Sequence, residues 1–180
     1  IITVFMLASG VNFALYYYVL KGNAKSLFKN EEFRFYMGVV FASIALITVN
    51  IWGSVFKSIW ESIRHSSFQV ASIITTTGYA THDFDKWPMF SKAILFILMF
   101  TGCCAGSTGG GIKSIRILLL IRILKKEITK IIHPNAVQPV KFNGKIVEEE
   151  TLTGVLVFFF IYILIFVLAV IVVALDGKDF

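Results

Sequence analysis

Apolar and polar positions segregate along this chain into long blocks rather than the short alternations of a soluble domain. Residues 1–20 are almost continuously apolar and aromatic, with Gly10 and Asn12 inside the run, and predict the end of a preceding span. A polar connector over 21–34 carries Lys21, Lys25, Lys29 and Arg34. The apolar run 35–52 then predicts a transmembrane helix, with Asn50 and Trp52 at its far end where an interfacial anchor belongs. From Gly53 to Ile74 the pattern turns amphipathic, and Lys57, Glu61, Arg64, His65 and Gln69 make it a poor second span. Its last part, Ser66 to Ile74, is too short to cross roughly 30 Å of hydrocarbon at ~1.5 Å per residue, so it predicts a re-entrant helix. Residues 57–81 hold that helix and the loop after it. A polar loop closed by Trp87 and Pro88 follows, Pro88 suiting the first turn of a helix. The helical pattern of 89–132 is far longer than one crossing requires and breaks at Gly102-Cys-Cys-Ala-Gly-Ser-Thr-Gly-Gly-Gly111. Two half-helices around a glycine break at membrane depth explain the excess. A hydrophilic connector, 133–150, leads to a further membrane helix within 151–180.

Composition supports this all-α membrane reading. The chain is 57% hydrophobic with 18 Phe and a mean hydropathy of +0.79, an apolar load that excludes a soluble domain. The net charge of +6 raises nucleic acid as a partner. However, the basic residues collect between spans, without the aromatic interleaving of a nucleic-acid surface. Positive-inside topology accounts for them: Lys113, Arg116, Arg122, Lys125, Lys126, Lys130, Lys141 and Lys145 crowd one inter-span region, and 21–34 supply the other. Both are expected to be cytoplasmic. The helix 35–52 then runs outward, the re-entrant segment enters and leaves on the outer side, and Asp83 and Asp85 face the exterior, either as a solvated loop or as a means of concentrating cations. With no initiator Met and no cleavable signal, the chain is expected to be an internal piece of a longer, multi-pass protein of the cell membrane.

The chemistry concentrates in two places. The first is Thr75-Thr-Thr-Gly-Tyr79, between the half-length helix and the outer loop. Backbone carbonyls replace the water around a cation only where non-helical backbone is held at membrane depth, facing a cavity. Threonine favours extended backbone and brings a hydroxyl oxygen, and Gly78 can take the positive φ that turns a carbonyl toward a pore axis. The preceding helix would aim the partial negative charge of its C-terminus at the same place. Thr75, Thr76, Thr77, Gly78 and Tyr79 are therefore the expected ion ligands, with Thr76, Thr77 and Gly78 at the centre. The second place is the glycine break, Gly102, Cys103, Cys104, Ala105, Gly106, Ser107, Thr108, Gly109, Gly110 and Gly111, with Lys113 at its inner end. So many glycines cost ordering entropy unless mobility or close backbone approach is useful. Gly106 to Ser114 nearly matches a phosphate-binding loop, but Ile112 separates the glycine from the lysine and no soluble strand precedes it. Cys103 and Cys104 are adjacent, form no Cys-x-x-Cys pattern and are expected to be reduced packing residues. His65, His82 and His133 lie in different segments without ligand spacing, which argues against a metal site. With no supported nucleophile and base, an enzyme is not expected.

This order of elements, with TTTGYA, the Trp87-Pro88 loop, GCCAGSTGGGIKSIR and His133-Pro-Asn-Ala-Val137, resembles the third membrane-pore-membrane repeat of the Trk/Ktr/HKT superfamily of potassium transport proteins. The resemblance covers nearly the whole chain. It implies one pore built from four unequal repeats of a single chain, dimers of such chains, and a glycine break that gates the pore beneath the filter. It implies K⁺ as the transported ion, with no organic cofactor here, and a TrkA-like cytosolic nucleotide-binding ring as regulatory subunit. Arg122, Lys125 and Lys126, with the connector 133–139, are expected to meet that ring. Cys103 stands where the resemblance leads one to expect glycine. A Na⁺-permeable relative and a phosphate- or nucleotide-binding membrane protein stay open as alternatives, because this chain holds one filter segment only.

Overall fold

The computed structural model describes residues 1–133 and 138–175. It is helical apart from one small hairpin among the described residues, and it divides into two compact units, Ile1–Leu118 and Leu119–Phe180.

In the first unit, residues 1–20 form α1 (Ile2–Ser9) and α2 (Phe13–Leu20), bent by 104° instead of the single straight helix that hydropathy suggests. The sequence accounts for the bend. Gly10 closes α1, and the Asn12 side chain accepts the Ala14 amide at 2.8 Å, starting α2 afresh. The connector holds a short helix, α3 (Lys25–Lys29), and α4 (Glu31–Ile51) begins four residues before the expected 35. Asn30 caps it by accepting the Phe33 amide at 2.9 Å, with Glu31 and Glu32 in the first turn, where negative charge meets the positive end of the helix dipole. Twenty-one residues give about 31 Å, one membrane crossing. Glu32, Tyr36, Val40, Ser43, Ile47 and Ile51 recur three and four apart and are buried, while Phe41, Leu46 and Val49 lie exposed on the rest of the helix.

The helix expected to be re-entrant, α5 (Ile59–Ile74), starts seven residues earlier than Ser66, but at about 24 Å it is still too short to cross the hydrocarbon. Its small polar residues let it approach α4 closely, and the Thr48 and Ser66 hydroxyls meet at 2.6 Å. After a single 3-10 turn at Phe84–Lys86, α6 (Met89–Phe100) packs on the same core, and Ser91 donates to the Asn50 side chain at 2.7 Å. Tyr36, Val40, Ile47, Ile51, Val70, Ile74 and Leu95 fill that core together with Cys103 and Cys104. The glycine break lies between α6 and α7 (Ser114–Ile132), as the sequence leads one to expect.

In the second unit, the later part of α7 is followed by β1 (Lys141–Phe142) and β2 (Lys145–Ile146), antiparallel with Lys141 opposite Ile146. Asn143 at φ 48 and Gly144 at φ 78 make the two-residue turn, so the connector read as merely hydrophilic holds a hairpin. The last helix, α8 (Glu149–Leu175), is apolar almost throughout after its acidic first turn and is exposed along most of its length, with Leu152 and Val155 buried. By length and composition α4 and α8 can each cross a membrane, and the bent α1–α2 pair is a third span if counted as one. Residues 134–137 of the expected connector and 176–180 of the expected last segment lie outside the described residues.

Candidate functional site

The loop from Thr75 grows out of the end of α5. The amides of Thr75, Thr76 and Thr77 donate to the carbonyls of Ala71, Ile73 and Ser72 at 3.1, 3.0 and 2.9 Å, satisfying the last turn of the helix. Gly78 adopts φ 80, the positive value expected of it. Thr75 and Thr76 depart from expectation. Thr75 is not extended, at φ −91 and ψ 1, and Thr76 takes φ 55, which a β-branched residue holds only against strain. Side-chain bonds supply the compensation. The Thr75 hydroxyl meets Ala71 O and the Thr77 hydroxyl, each at 2.7 Å, while the Thr76 hydroxyl donates to Thr75 O at 2.7 Å and accepts the Gly110 amide at 2.9 Å. The rising strand is tied back to α5 by Ser72, whose hydroxyl donates to Tyr79 O at 2.5 Å, and by a 3.0 Å contact between His65 Nδ1 and the Thr81 hydroxyl. Thr75 is buried, whereas Thr76, Thr77, Gly78 and Tyr79 stand exposed in a row.

The glycine loop is seated directly on this segment. The Cys103 thiol donates to Ile74 O at 3.2 Å, and Gly110 reaches Thr76. A Cβ at Gly109 would lie 2.5 Å from Cys103 Sγ and 3.6 Å from Thr75 O, so the approach requires glycine. The loop is closed at its base: Gly102 N donates to Ile112 O at 2.8 Å, Ile112 N to Phe100 O at 3.2 Å, and the Ser114 hydroxyl to Gly102 O at 2.7 Å. Inside it, Lys113 Nζ donates to Ser107 O at 3.3 Å and to Gly109 O at 2.5 Å, so the ammonium fills a carbonyl pocket of the loop itself. Cys103 and Cys104 are free, buried thiols. These partners also weigh against phosphate binding. Within the Gly106 to Ser114 match, the amides of Ser107, Gly110, Ile112 and Ser114 already donate to protein oxygens, and the Lys113 ammonium is taken up by carbonyls.

Three participants were not evident as such in the sequence. The α1–α2 bend receives the loop: Cys104 N donates to Gly10 O at 3.0 Å, Phe13 N to Gly106 O at 3.2 Å, and the Thr108 hydroxyl to Ser9 O at 3.3 Å. Gly10 and Asn12, polar interruptions in an apolar run, were its only signal. Tyr36 is fully buried, and its hydroxyl reaches Leu7 O at 3.2 Å. Glu32, 3% exposed, accepts the Ala105 and Ile115 amides at 2.6 and 3.1 Å, both on Oε1. It reads as one more charge in a polar connector, and no pattern in the sequence marks it as buried.

Around the loop that follows the Thr75–Tyr79 segment, the fold brings together two histidines that the sequence keeps apart. The His65 ring stacks on Phe56 at 4.7 Å between centroids and lies 5.6 Å from that of His82, and Trp87 Nε1 donates to His82 Nδ1 at 3.2 Å. Burial, helped by the Arg64 and His82 charges and opposed by Glu61, holds the His65 imidazole below its usual pKa. His133 belongs to the second unit, and the described residues contain no group of three or more potential metal ligands. Asp83 is engaged locally, accepting the Asp85 amide at 3.2 Å and pairing with Lys86 at 3.4 Å.

In the second unit, Arg122, Lys125 and Lys126 share one cavity of about 220 Å³ with Pro139, Val140 and Lys141. Arg122 donates to Lys141 O, and Lys126 pairs with Glu149 at 2.6 Å. The three expected partner residues thus lie together, two of them engaged with the unit's own groups.

A family model described as TrkH, cation transport protein, matches residues 1–180. The Trk system potassium uptake protein TrkH of Escherichia coli (strain K12) is 38% identical over 181 residues, which are 99% of this chain and 38% of that protein. The protein of the same name from Halomonas elongata is 34% identical over 99% of this chain and 37% of its own length. The crystal structure of the potassium transporter TrkH from Vibrio parahaemolyticus matches with a TM-score of 0.92 at 32% identity, over 98% of this chain and 39% of that one. The chain therefore spans well under half the length of these relatives.

Proposed function

Since the chain belongs to the TrkH family of cation transport proteins, we propose that it forms one quarter of a K⁺ uptake pore, with Thr75 to Tyr79 as its share of the selectivity filter and Gly102 to Lys113 as the gate beneath. The relatives named for potassium uptake support the choice of ion. The observation that carries the reading is the seating of the glycine loop on the base of the filter segment, through Gly110 N to Thr76 at 2.9 Å and the Cys103 thiol to Ile74 O at 3.2 Å. A loop so placed occupies the inner approach to any ion held by the exposed row Thr76 to Tyr79. Carbonyls of this row strip water from K⁺. The C-terminus of α5 adds a favourable field, and Lys113 holds the loop shut by filling its carbonyls with a tethered cation. In the whole protein, the pore works in a homodimer under a TrkA-like cytosolic subunit that meets the cavity of Arg122, Lys125 and Lys126.

The test is Gly78→Ser in the full-length protein. A residue with Cβ opposes φ 80 and brings a competing oxygen, so discrimination between K⁺ and Na⁺ in liposome flux should fall by about tenfold or more. Unchanged ion competition at normal expression would remove Gly78 from the filter.

A further inference from the structure

The glycine loop makes three kinds of contact. At its crown it touches the filter segment, along one side it bonds the α1–α2 bend, and at its feet it touches Glu32. Ala105 lies near the start of the loop and Ile115 in the first turn of α7, ten residues apart in sequence, yet both amides converge on one carboxylate oxygen. A buried carboxylate is costly unless donors surround it, and charge-assisted bonds to amides are among the stronger hydrogen bonds. The bond from Gly110 N to Thr76 at the crown involves a group between those feet.

We infer that Glu32 is a positioning residue for the gate: its carboxylate pins Ala105 and Ile115, so the segment between them swings while both feet stay fixed. The inference rests on the reading of this loop as the gate, but it makes a claim of its own. Crown contacts are the ones released on opening, and the Glu32 contacts persist. Removal of the carboxylate frees the feet, and the loop leaves its seat without any signal from outside.

The experiment uses the full-length protein in liposomes, carrying Ser107→Cys as a reporter, and follows the rate at which a water-soluble thiol reagent modifies it, with the unsubstituted chain giving the background of Cys103 and Cys104. Glu32→Ala should raise the rate about tenfold, the effect of losing a charge-assisted bond. Glu32→Gln keeps an oxygen for both amides and should stay close to the parent. If the alanine variant does not reach the membrane folded, Glu32→Asp, too short to reach both feet, takes its place and should behave as alanine is expected to. An unchanged rate in Glu32→Ala, or in Glu32→Asp where that variant stands in, would overturn the clamp, and so would a glutamine rate as high as that of the shortened variant. K⁺ flux measured in parallel separates the two readings: faster modification without faster flux leaves the clamp standing and removes the loop as the gate.

Discussion

Thr76 ties the proposed filter segment to the proposed gate through a single residue. Its left-handed backbone is held by a hydroxyl that bonds Thr75 O on one side and Gly110 N on the other. Thr76→Val keeps the shape, removes both bonds and leaves the strain, so it should destabilise the full-length protein by about 1–3 kcal/mol and raise flux through the resting pore. Thr76→Gly loses the same bonds but relieves the backbone, and should cost less. Thermal unfolding checks the order, and a valine variant as stable as the parent would show that the hydroxyl carries nothing. The contrast with Gly78 explains what a sequence reveals at this scale. A glycine announces that positive φ is possible, whereas nothing in a run of threonines says which one is forced into that region by a loop 34 residues away. Glu32 was hidden for the same reason, since its donors come from more than 70 residues downstream.

Among elements, hydropathy recovered the long span, the half-length helix and the glycine break, because burial in lipid and chain length leave few alternatives. It misplaced the start of α4 by four residues, since Asn30 and the acidic first turn belong to the helix while looking like connector. It joined α1 to α2 because two short apolar helices and one long one have the same composition. The Asn143-Gly144 turn was a readable hairpin signal that the surrounding charge concealed. The pairing of α5 with the loop around His82 supports a pH prediction. His65 binds protons more weakly when folded than its ordinary value of 6.5. Its contribution to stability is therefore complete above that value and is lost as pH falls through the lowered folded one. Acidification from about pH 7.5 to 5 should loosen the Phe56, His65 and His82 stack, and His65→Phe should flatten that part of the stability profile. A slope unchanged in the phenylalanine variant would assign the pH response to other groups.

For the molecule as a whole, the proposed cytosolic subunit needs a route to the proposed pore. α7 begins at Ser114, directly after the loop, and carries Arg122, Lys125 and Lys126 on the same helix. Reversing all three charges should weaken co-purification with a TrkA-like ring and blunt nucleotide-dependent flux while ion preference stays unchanged. Arg122 and Lys126 also bond Lys141 O and Glu149, so Lys125→Glu alone is the cleaner variant because it spares both contacts. Co-purification and regulation that survive the triple reversal would place the contact elsewhere.

The fit between Cys103 and Gly109 also bears on the history of such a loop. With cysteine at 103, any side chain at 109 would begin 2.5 Å from its sulfur and 2.9 Å from its Cβ, so a change at 109 forces the loop to shift. Residue 103 must first become glycine before residue 109 can grow without moving the loop, because alanine would still leave a Cβ 2.9 Å away. A lineage that acquires the cysteine closes that route behind it, and the order in which the two positions can change is set by a gap narrower than one methyl group.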